Sequence, residues 1–472
     1  MPAHISGVMH AGPSPVWLPF PEDVNALMPS LWSAHAAKDA QGVLTIAGHR
    51  VTDLAREYGS PLYLFDVEDF RARAREAVGA FAAAFERVGT SSRTYYAGKA
   101  FLTVAVAQMA AAEGLGIDTC SLGELLLARR AGVDPQLVGL HGNSKSDEEI
   151  ELALQWGIGR IVVDSLQEID RLEAAAARLG VRARVMIRVT AGVEAHTHDF
   201  IATAHEDQKF GLSLQSGAAA EAAARVIAAD HLDLIGLHSH IGSQIFDASG
   251  FEVAARRIVA LRAQLRRRHG VELEELDLGG GLGMRYTSQD TPPPLPEMAE
   301  KLADAVAKEC ADAGDPLPVV SFEPGRSLIG PAMCTLYRVG TVKPVETDHG
   351  VRTYVSVDGG MSDNVRTALY DADYSCTLAS RTSDAAPAVV RVVGRHCESG
   401  DIVVRDEYLP ADVAPGDLVA VPGTGAYCQP LSSNYNMAPR PGVLAVRESA
   451  VEWMVRPETL DDLFARDCGP LA

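Results

Sequence analysis

Thr94-Tyr-Tyr-Ala-Gly-Lys-Ala100 is a short aromatic, strand-like run ending on a lysine, and the 472-residue chain contains only six other lysines. Two readings of Lys99 compete. It is either a strand-end charge reaching into solvent or an amine that, partly withdrawn from water, can attack a carbonyl. Further short apolar runs follow at 115–121, 137–143, 160–165, 184–190, 234–243, 275–281 and 318–326. Between them lie helical patterns, including 102–110, 147–156, 167–179 and 217–229. The first five runs recur at roughly the length of one βα unit. Eight such units predict an α/β fold, a (β/α)8 TIM barrel spanning residues 66–335.

Beyond Arg326 the pattern changes. Segments at 353–358, 388–394, 401–405, 417–422 and 443–447 are short, strand-like and separated by Gly, Pro and Asp turns. They predict a second, all-β domain, a β-barrel or β-sandwich, over residues 336–472. The run Val43-Leu-Thr-Ile-Ala47, within a segment 41–65, is expected to add a strand to that domain. Residues 1–40 mix Pro, Ala, His and Trp without a period and read as a poorly ordered or loosely docked extension.

Composition limits the partners. A formal charge of −20 disfavours nucleic acid and anionic membrane surfaces, and 47% hydrophobic with 22% charged residues describes an ordinary globular chain. No apolar run reaches membrane-spanning length and no export signal is evident, so a cytoplasmic location is expected. The seven cysteines are scattered, without a C-x-x-C pair, which matches neither a disulfide framework nor a zinc knuckle.

Catalytic groups of a barrel lie at the C-terminal ends of its strands. Lys99 ends the first strand, and His238-Ser-His-Ile-Gly-Ser243 follows the sixth. Gly279-Gly-Gly-Leu-Gly283 follows the seventh and Glu323-Pro-Gly-Arg326 the eighth. Three successive glycines at that place suit a phosphate held by backbone N–H groups, although a tight turn needs glycine too. His238 and His240 alternate along a strand, so one is expected to face the barrel mouth and the other the helix layer. A metal there would want more His or Asp ligands than the neighbouring strand ends supply, and none is assigned. His196-Thr-His198 reads as a solvated loop near the site. Glu323, at the end of a buried strand, must be paired or protonated. A lysine for a Schiff base, glycines for a phosphate, an imidazole to cover a ring and an acid for a ring nitrogen together call for pyridoxal 5′-phosphate.

In order along the chain, Tyr-Ala-Gly-Lys99, His-Ser-His240-Ile-Gly-Ser243, Gly-Gly-Gly281, Glu323-Pro-Gly-Arg326, Asp358-Gly-Gly-Met-Ser-Asp363, Cys397-Glu-Ser-Gly-Asp401 and Gly425-Ala-Tyr427 resemble the diaminopimelate decarboxylases. These are fold-type III pyridoxal-phosphate enzymes with an alanine racemase type of barrel. The resemblance covers about residues 43–455 and is nearest the actinobacterial branch, with Lys-Ala-Phe101 and Glu206-Asp-Gln-Lys-Phe-Gly211. It implies conversion of meso-diaminopimelate to L-lysine and CO2, the last step of lysine biosynthesis, by a homodimer with shared sites. Lys99 would then carry the cofactor and His240 would cover its ring. Ser243, Gly280, Gly281 and the backbone at Pro324 and Gly325 would hold the phosphate, and Glu323 would pair with the ring nitrogen. Arg326, Arg366 and Tyr370 would take substrate carboxylate, with Arg326 also counted among the cofactor-binding residues. Glu398 would bind the distal ammonium, and Tyr427 would touch cofactor and substrate. Cys397, from the partner subunit, would supply the final proton. Cys120 is a candidate to bridge Cys397 on oxidation. Phe101, Val365 and Thr367 depart from the broader family, in loop stiffness more than in chemistry. The resemblance leaves two other functions: decarboxylation of ornithine, arginine or carboxynorspermidine, and a non-catalytic cofactor-binding homologue. The position of Glu398, typically Asp in the ornithine and arginine enzymes, favours diaminopimelate.

Overall fold

The computed structural model describes residues 15, 17–193, 209–347 and 350–470. The chain divides into two compact units. One takes in residues 71–283 and 292–328; the other takes in residues up to 70, 284–291 and those from 329 onward.

The first unit is the barrel. Its strands are β1 (Ser92–Ala97), β2 (Gly116–Thr119), β3 (Val138–Leu140), β4 (Arg160–Val163), β5 (Ala183–Thr190), β6 (Leu232–His238), β7 (Glu275–Asp277) and β8 (Val319–Phe322). Each pairs in parallel with the next, and β8 returns to β1 with Val320 opposite Ser92, so the sheet closes. All eight coincide with the apolar runs of the sequence. A two-residue strand, Leu212–Ser213, pairs with the end of β5, opposite Val189 and Thr190.

The helices begin where the sequence supplies caps. Those at Val104–Ala112, Leu122–Arg130, Asp147–Trp156 and Leu166–Leu179 start after Thr103, Ser121, Ser146 and Ser165. Each cap oxygen accepts an N–H from three residues on, at 3.1–3.3 Å. A cap of this kind contributes about 1 kcal/mol and ends the loop abruptly, which keeps the rim above the strands short.

The interior of this barrel is ionic on one side. Arg160, almost fully buried, projects from β4 among Asp118, Glu275, Asp277 and Glu323. Its guanidinium also lies 3.6 Å from the centre of the Tyr95 ring. Gly139 makes room for this group, since a Cβ there would stand 2.8 Å from Asp118 Oδ1 and 3.1 Å from Arg160 Nε. A buried guanidinium is tolerable only when paired in this way.

In the second unit a large sheet runs in the order Ile402–Pro410, Pro387–Val393, Gly350–Val357, Met333–Thr347, Leu62–Asp66, Val443–Arg447, Ala450–Val455, and Leu418–Pro422 pairs with Met333–Thr347. The five strands expected for an all-β region are present. The 15-residue strand Met333–Thr347 that joins them was not legible, because Gly340 and Pro344 read as punctuation while cross-strand pairing decides the outcome. Leu44–Ile46 is a strand of this unit that lies outside the large sheet. It pairs with Ala36–Lys38 and His49–Arg50 in a separate three-stranded sheet, and Leu62–Asp66 is the strand that crosses over.

The expectation of a loosely docked extension fails for its later part. Leu31 and Trp32 are buried in one cluster with Leu44, Ile46, Leu62, Leu64 and Leu336. Each such side chain contributes roughly 1.5–3 kcal/mol on leaving water, which anchors the segment. Among the described residues no helix is long and apolar enough to cross a membrane.

Candidate active site

Lys99 does not end the first strand as expected but lies two residues beyond it. β1 ends at Ala97, and Lys99 is exposed in the single 3₁₀ turn Gly98–Ala100. Two glycines let neighbouring backbone close around that turn. A Cβ on Gly98 would stand 2.7 Å from the Asp118 carbonyl oxygen, and one on Gly325 would meet Ala97 at 3.0 Å and Ala100 at 3.1 Å. The Pro324 carbonyl accepts the Ala97 N–H at 3.3 Å, so the end of β8 is laid against the lysine turn.

His240 faces the same place. Its Nδ1 accepts the Gly280 N–H at 3.2 Å, which puts any ring proton on Nε2. Burial, and then the Lys99 ammonium, hold this imidazole well below its ordinary pKa, so it is neutral near pH 7. The strand ends at His238, and the alternation assumed for the two histidines ends with it. His238 does not face the helix layer; it is buried with Nε2 3.2 Å from Glu323 Oε1. Burial lowers its pKa to about 3.

The glycines after β7 form a tight cradle. A Cβ on Gly280 would lie 2.1 Å from the Glu323 carbonyl oxygen, and one on Gly281, whose φ is +110°, would lie 2.4 Å from that of Gly242. Only glycine brings these backbones together. Across from them Ser243 Oγ accepts from Arg326, 2.8 Å from Nη2 and 3.2 Å from Nε.

Glu323 is buried and held from several directions. Its Oε1 lies 3.3 Å from Arg160 Nη2 and 3.3 Å from His141 Nε2, and His141 Nε2 lies 3.2 Å from Asp118 Oδ1. Asp277 hydrogen-bonds to Glu323 and lies 2.7 Å from Arg160 Nη1. Four carboxyls share Arg160, with Arg93 helping only at Glu275, 2.7 Å away. Burial and the crowding of like charge raise the pKa of both Asp277 and Glu323, and one proton between them relieves that crowding.

His141, His238 and Glu323 bring one donor atom each within 4.8 Å, a spacing that could hold a metal. The Arg160 guanidinium already on Glu323 opposes a second cation there, and the three read as one hydrogen-bonding network. Arg160, Asp118, His141, Glu275 and Asp277 were missed at the sequence level. The available signal was a charged residue inside an otherwise apolar strand.

The remaining expected residues belong to the second unit. Arg366 opens the short helix Arg366–Tyr370 and is buried, its guanidinium 4.8 Å from the Tyr286 ring centre and 5.6 Å from that of Tyr374. It donates to the Tyr374 hydroxyl, which lies 3.5 Å from Cys428 Sγ. Tyr286 and Tyr374, which box the guanidinium, carry no motif and were not anticipated. Tyr370 is half-buried. Tyr427, also half-buried, has a φ of +65°, a costly conformation for an aromatic residue that is typical of pre-organised sites. Cys397 and Glu398 are exposed on one loop. Cys120 and Cys397 are free thiols, and burial followed by the Glu124 carboxylate pushes Cys120 up to about 12. His196 and His198 lie outside the described residues.

The donor set fits pyridoxal phosphate: an exposed amine beside a neutral imidazole, a backbone cradle that a Cβ would fill, and a buried acid at the strand end. Comparison with known proteins agrees. Residues 71–330 match the family described as pyridoxal-dependent decarboxylase, pyridoxal binding domain. The diaminopimelate decarboxylase of Mycobacterium tuberculosis is 52% identical over 446 residues, covering 93% of this chain and 98% of its own. That of Corynebacterium efficiens is 46% identical over 445 residues, covering 94% and 95%. The crystal structure of the M. jannaschii diaminopimelate decarboxylase in complex with L-lysine superposes with a TM-score of 0.85 at 31% identity, over 93% of this chain and 98% of that one.

Proposed function

The chain belongs to the diaminopimelate decarboxylases of the pyridoxal-dependent family, and from that premise we propose how its residues divide the reaction. The reaction is decarboxylation of meso-diaminopimelate to L-lysine and CO2, the last step of lysine biosynthesis. Bound pyridoxal 5′-phosphate supplies the electron sink for the carbon that loses CO2.

Lys99 would hold the cofactor through its amine. His240, neutral and fixed by the Gly280 N–H, covers the ring. Glu323, with its proton affinity raised by burial and by Asp118, keeps a proton at the ring nitrogen. The N–H groups of Gly281 and Gly325, together with Ser243, hold the phosphate, Gly280 lets that backbone lie close, and Pro324 carries it past the lysine turn. Arg326, Arg366 and Tyr370 receive substrate carboxylate, a task suited to the guanidinium fork. Glu398 takes the distal ammonium, and Tyr427 contacts cofactor and substrate. Cys397 delivers a proton to the carbon from which CO2 has left.

The observation that carries this reading is the end of β8 laid against the Lys99 turn, with the Pro324 carbonyl accepting the Ala97 N–H at 3.3 Å, while the Gly280 N–H fixes the His240 ring at 3.2 Å. We infer a homodimer in which Cys397 acts in the partner's site. Exposed Leu369, Tyr435 and Met437 support it, because Tyr435 and Met437 flank Asn436, which holds the His396 ring next to Cys397. We also infer a cytoplasmic location, in keeping with seven free cysteines.

The test begins with the visible absorbance of the loaded protein, borohydride reduction and mapping of the labelled lysine, alongside CO2 release from meso-diaminopimelate and from ornithine. Label on Lys99 and preference for diaminopimelate are expected. Mixing inactive Lys99→Ala with Cys397→Ala protein should restore about a quarter of wild-type activity if sites are shared across a dimer. Label on another lysine, or no restoration on mixing, contradicts the respective assignment.

A further inference from the structure

We propose that Asp401 is a positioning residue for Cys397, a buried carboxylate that pins both ends of the loop presenting the acid. The inference rests on the role of Cys397 given above and adds the device that fixes its place.

Asp401 is 3% exposed, yet among the described residues no cationic side chain donates a hydrogen bond to it. Its Oδ1 accepts the Met361 N–H at 2.6 Å and its Oδ2 accepts the His396 N–H at 2.7 Å. One carboxylate therefore ties the residue immediately before Cys397 to the Gly-Gly-Met-Ser-Asp turn. Its backbone closes the same loop: the Asp401 N–H donates to the Glu398 carbonyl at 3.1 Å, and the Asp401 carbonyl accepts from Gly394 at 3.0 Å.

Two glycines exist around this carboxylate. A Cβ on Gly394 would lie 2.2 Å from Oδ2, and one on Gly360, whose φ is +152°, would lie 2.5 Å from Oδ1. The sequence shows these glycines as turn chemistry, whereas the structure shows the space they leave is filled by an acid from another motif. A second pin holds the His396 ring, with Nε2 2.8 Å from Ser362 Oγ and Nδ1 3.1 Å from Asn436 Oδ1. Asn436 adopts a left-handed φ of 52° to reach it.

Cys397 and Glu398 are thus exposed side chains on a backbone clamped at His396 and at Asp401. Proton delivery to carbon depends on where the acid stands, and a displacement of about 1 Å can cost about a hundredfold in rate. Asp401 donates no proton in this proposal and touches neither substrate nor cofactor.

The experiment uses the loaded enzyme with Asp401→Ala, and with Asp401→Asn as the milder variant should the first not fold. Amide hydrogen exchange at Met361 and His396 reads the pin directly, without turnover. The visible absorbance at Lys99 checks that the barrel site is intact. Expected are faster exchange at those two amides, unchanged absorbance, a fall in kcat of about a hundredfold for Ala and less for Asn, and a raised KM because Glu398 shares the loop. In the double variant with Cys397→Ala, kcat should fall no further than in Cys397→Ala alone, the mark of residues acting as one unit.

Additive kcat losses, or faster exchange with kcat unchanged, overturn the positioning role while leaving Cys397 as the acid. A normal kcat in Cys397→Ala alone overturns the acid assignment itself, and the proposal with it.

Discussion

Arg160 and Glu323 meet 3.3 Å apart in the barrel, one at the start of β4 and the other just past the end of β8. The guanidinium that steadies the proposed ring acid also holds Asp118, Glu275 and Asp277, so the cofactor's acid is part of the barrel's own ionic core.

Removing that guanidinium leaves buried carboxyls without their counter-charge. Arg160→Met should destabilise the protein by about 3–5 kcal/mol, read as a lower urea midpoint for cofactor-free protein. A midpoint equal to wild type would mean the acids do not depend on Arg160.

His238 gives the stability a pH dependence of known sign. In the folded protein it takes a proton only near pH 3, whereas in the unfolded chain it does so near its ordinary value, about 6.5. Between those values the unfolded state binds one more proton, so stability is lost as pH falls through this window, by about 1.4 kcal/mol per pH unit. His238→Gln should flatten the curve by that slope when unfolding free energy is measured from pH 6.5 downward. An unchanged slope would show that His238 charges freely in the fold.

The Gly280 cradle has no room for a methyl group. Gly280→Ala should push the Glu323 backbone away at a cost of about 1–3 kcal/mol, equivalent to roughly 5- to 150-fold weaker pyridoxal phosphate binding. Titrating cofactor-free protein and following visible absorbance measures it, and wild-type affinity would remove the glycines from the phosphate site.

Arg366 is boxed by Tyr286 and Tyr374, which suits a planar guanidinium and not a flexible ammonium. Arg366→Lys should raise KM for meso-diaminopimelate by about 10- to 100-fold, the worth of a hydrogen bond to a charged group. Steady-state CO2 release reads this, and an unchanged KM would place carboxylate recognition elsewhere.

The barrel was legible because its strands are short apolar runs at βα spacing with helical patterns between them. The gathering of Lys99, His240, the glycines and Glu323 at one rim was legible because each follows the end of a barrel strand. What stayed hidden has a common cause. Met333–Thr347 looks broken by Gly340 and Pro344 until partners on both sides complete its ladder. Leu31 and Trp32 look like an unanchored tail until Leu62 and Leu336 cover them.

By itself the sequence determined the local matters: periodicity, turn chemistry, the order of motifs and the residue types able to carry the chemistry. Only the tertiary structure decided which buried charges face one another. It sent His238 inward to Glu323, gathered four acids from two strands and the end of a third around Arg160, and set Asp401 between two glycines of separate motifs. The physical reason is that desolvation and pairing depend on distances across the fold, and no spacing along the chain records those.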